Sequence, residues 1–200
     1  MKYFTSILLF TTLLLSSCGS GEQSEDTANK KEETTETDTP GKNENTEDVL
    51  MGKAKIAIGD DTFVIEDFRK NKTELTYTNS GVTLRLTNAS NERFILISLE
   101  GKEVLDARPL KINVEQGSKS GANTARVTMM GFFDPEDTKD QFILKNGELT
   151  INELDEESLD VNITFKGDGG KVMDFKNENS VSIEGLIDIS LDNKMDARKK

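Results

Sequence analysis

The sequence predicts an all-β protein: a single antiparallel meander that closes as a barrel or as a two-sheet sandwich, set behind a disordered tether. Three observations predict it. From about Val49 onward apolar and polar residues alternate in short runs, the period-two signature of half-buried strands. Clusters of Gly, Asn and Asp punctuate those runs at hairpin-like intervals. No stretch carries a convincing helical period. Roughly 145 residues make one domain that buries about two-thirds of its unfolded surface. Its sheet must close or fold over to protect its edges.

The chain opens on a different kind of segment. Lys2 places a positive charge ahead of an apolar run from Ile7 to Leu15, and small residues then lead to Cys18, the only cysteine. That is the charge, length and cleavage pattern of a secretory signal, too short for a transmembrane helix. Leu15-Ser16-Ser17-Cys18 resembles the lipobox of bacterial lipoproteins. The resemblance implies that residues 1–17 are a signal peptide removed ahead of Cys18. Cys18 then becomes a thioether-linked, N-acylated anchor of the palmitate class. One acyl chain binds marginally and several anchor stably, because each buried methylene contributes about 0.8 kcal/mol. The expected location is the cell envelope, as an outer-membrane lipoprotein facing the surface or the periplasm.

Residues 18–48 read as the lipidated cysteine and an acidic tether. Beyond Cys18 they hold no Val, Ile, Leu, Met or aromatic residue, and their acids far outnumber Lys30, Lys31 and Lys42. Such a segment buries too little apolar surface to offset its ordering entropy, so disorder is expected. As a coil it spans roughly 30 Å, enough to lift a domain off a bilayer. Glu22, Glu25 and Asp26 resemble the acidic export tags of Bacteroidota surface lipoproteins, with Gln23 and Ser24 breaking the run. A plain acidic linker reads the same way, so both membrane faces stay open. Asp26-Thr27-Ala28 resembles the O-glycosylation acceptor of that phylum.

The domain, residues 49–200, follows strand by strand. Ala54, Ile56 and Ile58 alternate with Lys53 and Lys55, and Gly59-Asp60-Asp61 turns the chain into Thr62–Glu66. Leu75 and Tyr77 make a short strand, then Val82, Leu84 and Leu86 the next. Arg93–Leu99 is apolar on both faces and is expected at the centre of a sheet. Glu103–Arg108 suits a helical turn before Pro109. Leu110, Ile112 and Val114 alternate again ahead of a polar loop, 116–123, and Ala125–Phe133 is the strand beyond it. Asn146-Gly147 between Gln141–Lys145 and Glu148–Asn152 is the strongest hairpin signal in the chain. Leu159, Val161, Ile163 and Phe165 alternate cleanly, and Gly167-Asp168-Gly169-Gly170 is expected to turn that strand towards Lys171–Phe175. Ser180–Leu191 is the last strand, with Gly185 expected at a bulge or bend, and Arg198-Lys199-Lys200 a frayed tail. Lys55–Phe63, with Gly147–Ile151 and Leu159–Phe165, resembles small β-rich Bacteroidota lipoproteins of uncharacterised function. That resemblance implies a location and a fold style and supplies no catalytic residue.

Composition narrows the chemistry. The net charge is −12, and loss of residues 1–17 removes Lys2 and no acid. An acidic chain without a basic stripe repels phosphate backbones, so nucleic acid is not an expected partner. Contact with the membrane is expected through the lipid anchor only. With no histidine, the commonest general base and metal ligand is missing, and with Cys18 lipidated no thiolate remains. Beyond the signal, Tyr77 is the one tyrosine and there is no tryptophan, which disfavours a sugar-binding platform.

Candidate sites are weak by the same standard. Asp134, Glu136, Asp137 and Asp140 crowd the 134–140 loop and have the oxygen chemistry of calcium ligands, but Pro135 and Lys139 interrupt any known spacing. Glu153, Asp155, Glu156 and Glu157 form a second acidic turn. Gly117-Ser118-Lys119-Ser120-Gly121 has lysine where a nucleophile elbow has serine, and Gly169-Gly170-Lys171 lacks the rest of a phosphate loop. Met129 and Phe133 share a face and read as core ahead of a ligand pocket. The expectation is a non-catalytic lipid-anchored domain with no cofactor, no metal and a protein partner in the cell envelope. The alternative is a lipocalin-like barrel that carries a small apolar ligand. Lipidation of Cys18 is the one site the residues assign.

Overall fold

Strand formation follows the alternation of the sequence, and the pairing of the strands departs from it. The computed structural model describes residues 48–115, 123–131, 133, 140–172 and 179–198. Signal peptide, Cys18, tether and the loop residues 134–139 lie outside the described residues, as does the polar loop but for Asn123. Eleven strands stand among the described residues: β1 Val49–Ile58, β2 Asp61–Arg69, β3 Glu74–Tyr77, β4 Gly81–Thr87, β5 Arg93–Glu100, β6 Leu110–Glu115, β7 Thr124–Gly131, β8 Asp140–Leu154, β9 Asp160–Lys171, β10 Val181–Ser190 and β11 Lys194–Asp196. The protein is all-β, a strongly curled mixed sheet that forms a half-barrel.

The strand order is β11-β3-β4-β5-β7-β8-β9-β10-β1-β2, with β6 on β8 beside that path. Sequence neighbours pair as far as β3-β4-β5 and β7-β8-β9-β10, but the order corrects the single antiparallel meander. β1 pairs with β10, β5 skips β6 to reach β7, and β11 lies parallel to β3. One edge of β8 is shared, with β7 along Asp140–Ile143 and β6 along Asn146–Ile151. The opposite ends of the path meet where Phe68 of β2 bridges Asn88 just beyond β4. Arg69 Nη2 donates to the Ala89 carbonyl at 3.1 Å beside that bridge.

Two expected turns are strand instead. Asn146-Gly147 sits inside β8, and Gly167–Gly170 inside β9. Gly147 and Gly167 oppose each other at φ +148° and +156°, and a Cβ on either would run into the other strand's backbone. Glycine is used there to let two strands approach, not to reverse one. Gly185 marks neither bulge nor bend, because the register runs through it on both sides. A Cβ there would meet the Phe165 ring, which occupies the place of the missing side chain. The turn between β8 and β9 is Asp155–Leu159, with Leu159 at φ +61°.

Other expectations hold in part. The 103–107 segment makes one helical turn, its Ala107 amide donating to the Glu103 carbonyl at 3.0 Å. β5 lies between β4 and β7 as expected, but only Ile95, Ile97 and Leu99 are buried while Phe94 and Leu96 are half-buried. Inward side chains form one contiguous core, among them Ile56, Phe68, Leu84, Ile97, Met129, Phe133, Ile151 and Ile187. At about 25 cal/mol per Å² of buried apolar surface, this core is the main stabilising term.

Candidate functional site

Two places on the sheet carry polar side chains in an organised way. The first is its outward face. Register sets Thr150, Thr164, Leu186, Lys55 and Val64 in one row across β8, β9, β10, β1 and β2. Glu148, Lys166, Glu184, Ala57 and Thr62 form the next row. Opposite charges thus face each other in turn along Glu148, Lys166 and Glu184, the stabilising cross-strand arrangement. An open depression of about 670 Å³ lies over these rows. Ala57, Leu186 and the threonines Thr62, Thr150 and Thr164 line it together with Lys55, Glu148, Lys166 and Glu184. Lys111 extends the charged border from β6, its Nζ 3.3 Å from Glu148 Oε1.

The second place is the end of the sheet where β3, the β8–β9 turn and the C-terminal strand converge. Tyr77 closes β3 with its side chain inward, 1% exposed, and its hydroxyl has no hydrogen-bond partner. Arg108 follows the helical turn. Its Nη2 donates to the Leu154 carbonyl at 3.0 Å and its Nη1 to the Ala107 carbonyl, while its buried Nε has no partner. The turn after Leu154 is held by Asp155, whose Oδ1 accepts from the amides of Glu157 at 2.7 Å and Ser158 at 2.6 Å. β11 then runs along β3. The Ala197 amide donates to the Tyr77 carbonyl at 2.9 Å, and Lys194 Nζ to the Glu156 carbonyl at 2.6 Å. Arg198 pairs with Glu156 and with Asp196, and its guanidinium lies 5.1 Å from the centre of the Tyr77 ring.

Electrostatics follow from that geometry. Burial, reinforced by the negative charge of Glu156, pushes the Tyr77 phenol up to about 12. Burial also lowers Arg108. Hydrogen bonds from Arg198 hold Asp196 down at about 2 and lower Glu156, and Arg198 is raised in return. Backbone amides of Ser158 and Glu157 lower Asp155. A phenol raised this far stays protonated near neutral pH, so the Tyr77 hydroxyl keeps a proton that it can donate.

The residues singled out in the sequence do not assemble into this cluster, apart from Asp155 and Glu156 of the second acidic turn. Glu153 lies apart on β8 opposite Asn162, while Glu157 is exposed beside them. Cys18, Asp134, Glu136, Asp137 and the 117–121 segment lie outside the described residues, and Asp140 pairs with Lys171 at 2.5 Å. Gly169 and Gly170 are strand residues, and Met129 and Phe133 are core at 0% and 1% exposure. Among the described residues no group of three or more acidic or other ligating side chains is placed to hold a metal ion. Of the tail expected to fray, Arg198 is instead clasped by Glu156 and Asp196, and Lys199 and Lys200 lie outside the described residues. Arg108 and Arg198 gave no signal in the sequence, and Tyr77 gave only its rarity. No protein-family model, no curated protein and no solved structure matches the chain.

Proposed function

We propose that the chain is a lipid-anchored outer-membrane domain. It is held by Cys18, spaced by the acidic tether, and acts without catalysis by binding a protein partner in the cell envelope. The observation that carries the binding role is the depression on the outward face, where Leu186 and Ala57 lie interleaved with Lys55, Lys166, Glu148 and Glu184. A concave face that mixes apolar with paired charged side chains matches the composition of a protein interface, which is about as apolar as the rest of a protein surface. Anchoring rests on the Leu15–Cys18 resemblance.

The test uses the full chain in cells. A photo-crosslinking residue at Leu186 is expected to give a discrete adduct, absent when the residue sits at Arg85 of β4 and lost in a Lys166→Glu background. No adduct at Leu186, or equal adducts at both positions, overturns the interface. Cys18→Ala is expected to move the chain from the membrane fraction to the soluble one, and retention in the membrane overturns the anchor.

The curl of the sheet favours a second reading, in which the half-barrel closes along the Phe68–Asn88 seam and carries a small apolar ligand. Against it stands the contiguous packing of the inward side chains. Native mass spectrometry of the full Cys18→Ala chain separates the two. A discrete mass lost on denaturation supports the carrier, and a bare mass supports the interface.

A further inference from the structure

The cluster at the end of β3 is independent of the outward face, and it holds the only buried side-chain polar atoms without a partner among the described residues: the Tyr77 hydroxyl and Arg108 Nε. Burying a polar group without a hydrogen bond is costly, and burying it on a cation more so, which makes two orphans on neighbouring side chains informative. Arg108 is bonded to the Leu154 carbonyl at the head of the turn whose Glu156 holds Arg198 over the Tyr77 ring, which places both groups at the same end of the sheet. Arg108 gives its two Nη atoms to neutral carbonyls. Arg108 joins none of the ion pairs among the described residues, and Asp106 acts on it only through its charge. An arginine Nε–H can only donate, and a tyrosine hydroxyl is free to donate. What complements both is one acceptor group, and what complements the unpaired guanidinium is a negative charge.

We propose that Tyr77 and Arg108 form a binding site for a carboxylate group, supplied by a small organic acid or by the C-terminus of a peptide. Charge-assisted hydrogen bonds to a carboxylate are the strong ones, and the guanidinium is the group whose planar donors fit it. Arg198 lies across the Tyr77 ring and is clasped by Glu156 and Asp196, so the residues after β11 lie over this end of the sheet. The clasp keeps Glu156 paired with Arg198, whose positive charge offsets it beside Tyr77.

Tyr77 offers its own probe, because Tyr3→Phe leaves it the only tyrosine of the full chain. With ring-labelled tyrosine, acetate at constant ionic strength is expected to shift the Tyr77 resonances saturably, while chloride and neutral acetamide leave them in place. Arg108→Gln is expected to weaken that response roughly tenfold or more while the folded spectrum persists. As a second readout, acetate is expected to raise Tm of the parent chain and leave Tm of Tyr77→Phe unchanged. No saturable shift, or an equal shift in Arg108→Gln, means that water alone serves the two groups and overturns the site. A response to inorganic phosphate but not to acetate overturns the carboxylate assignment. Given an acetate response, a short peptide acid that outcompetes its own C-terminal amide identifies a chain terminus as the source, and equal weakness of both identifies a free acid.

Discussion

Tyr77 holds a conflict that single residues seldom keep without a reason. Its ring is wanted in the core, and its hydroxyl finds no partner there. Removing only the oxygen therefore stabilises the empty protein. Tyr77→Phe is expected to raise the unfolding free energy by about 1 kcal/mol, read from denaturant midpoints without acetate. Stabilisation that accompanies loss of acetate binding is the signature of a group retained for function at the expense of stability. Ionisation gives a second check. The folded phenol lies near 12 against an ordinary 10, so its contribution to stability is complete below pH 10 and is lost as the pH rises through 12. In the Tyr3→Phe chain the phenolate absorbance of Tyr77 is expected to appear near pH 12. A midpoint near 10 places the hydroxyl in contact with solvent.

At the scale of elements, the strands were legible where one face meets the core and illegible where pairing decides. Leu110, Ile112 and Val114 announce β6, and Leu159–Phe165 announce most of β9, because alternation is a local consequence of burying one face. Asn146-Gly147 misled because a glycine that permits two strands to approach looks the same in sequence as one that turns a hairpin. Gly147→Ala separates those uses. At φ +148°, with a Cβ directed at the Lys166 carbonyl, it is expected to cost about 2–4 kcal/mol, far more than at an open turn such as Gly59. β11 had no apolar alternation to show, since Lys194, Met195 and Asp196 are all exposed. It is held by its parallel ladder to β3 and by the pairing of Arg198 with Glu156 and Asp196, neither of which leaves an alternation in the sequence. That clasp makes a prediction in acid. Asp196 and Glu156 are depressed by Arg198, so their contribution is present above their ordinary values near 4 and is lost as the pH falls towards 2. Arg198→Ala is expected to flatten the loss of stability between about pH 4 and pH 2 while leaving the slope above pH 5 unchanged. An unchanged acid slope removes the clasp as the cause.

The whole molecule is unevenly sealed, and its curl explains why. Long ladders join β8 to β9, β9 to β10 and β10 to β1, with inward side chains on every strand. Among the described residues the opposite ends of the path are joined by the Phe68–Asn88 bridge, by the Ala89 amide donating to the Asp67 carbonyl at 3.1 Å and by the Lys70–Asp192 ion pair, with Thr73 and Thr87 beside them. The Thr87 amide donates to Thr73 Oγ1 at 3.1 Å, and the Thr87 hydroxyl to the Lys72 carbonyl at 3.0 Å. Asn88 shapes the loop that presents this seam, its Oδ1 accepting from the amides of Glu92 at 2.9 Å and Arg93 at 2.8 Å. Local opening follows the weakest cooperative unit, so the fold is expected to open first at the seam and along β3 and β11. Native-state hydrogen exchange on the full chain should then show β8, β9 and β10 amides protected to the global limit and those of β2, β3 and β11 well below it. Asn88→Ala removes acceptors for two amides at once. It is expected to lower protection at the seam by about 2 kcal/mol while changing the β9–β10 limit by less. A uniform drop across all strands would mean that the ends of the sheet are coupled as tightly as its middle. The molecule would then behave as a fully closed barrel, in which no face opens ahead of the rest.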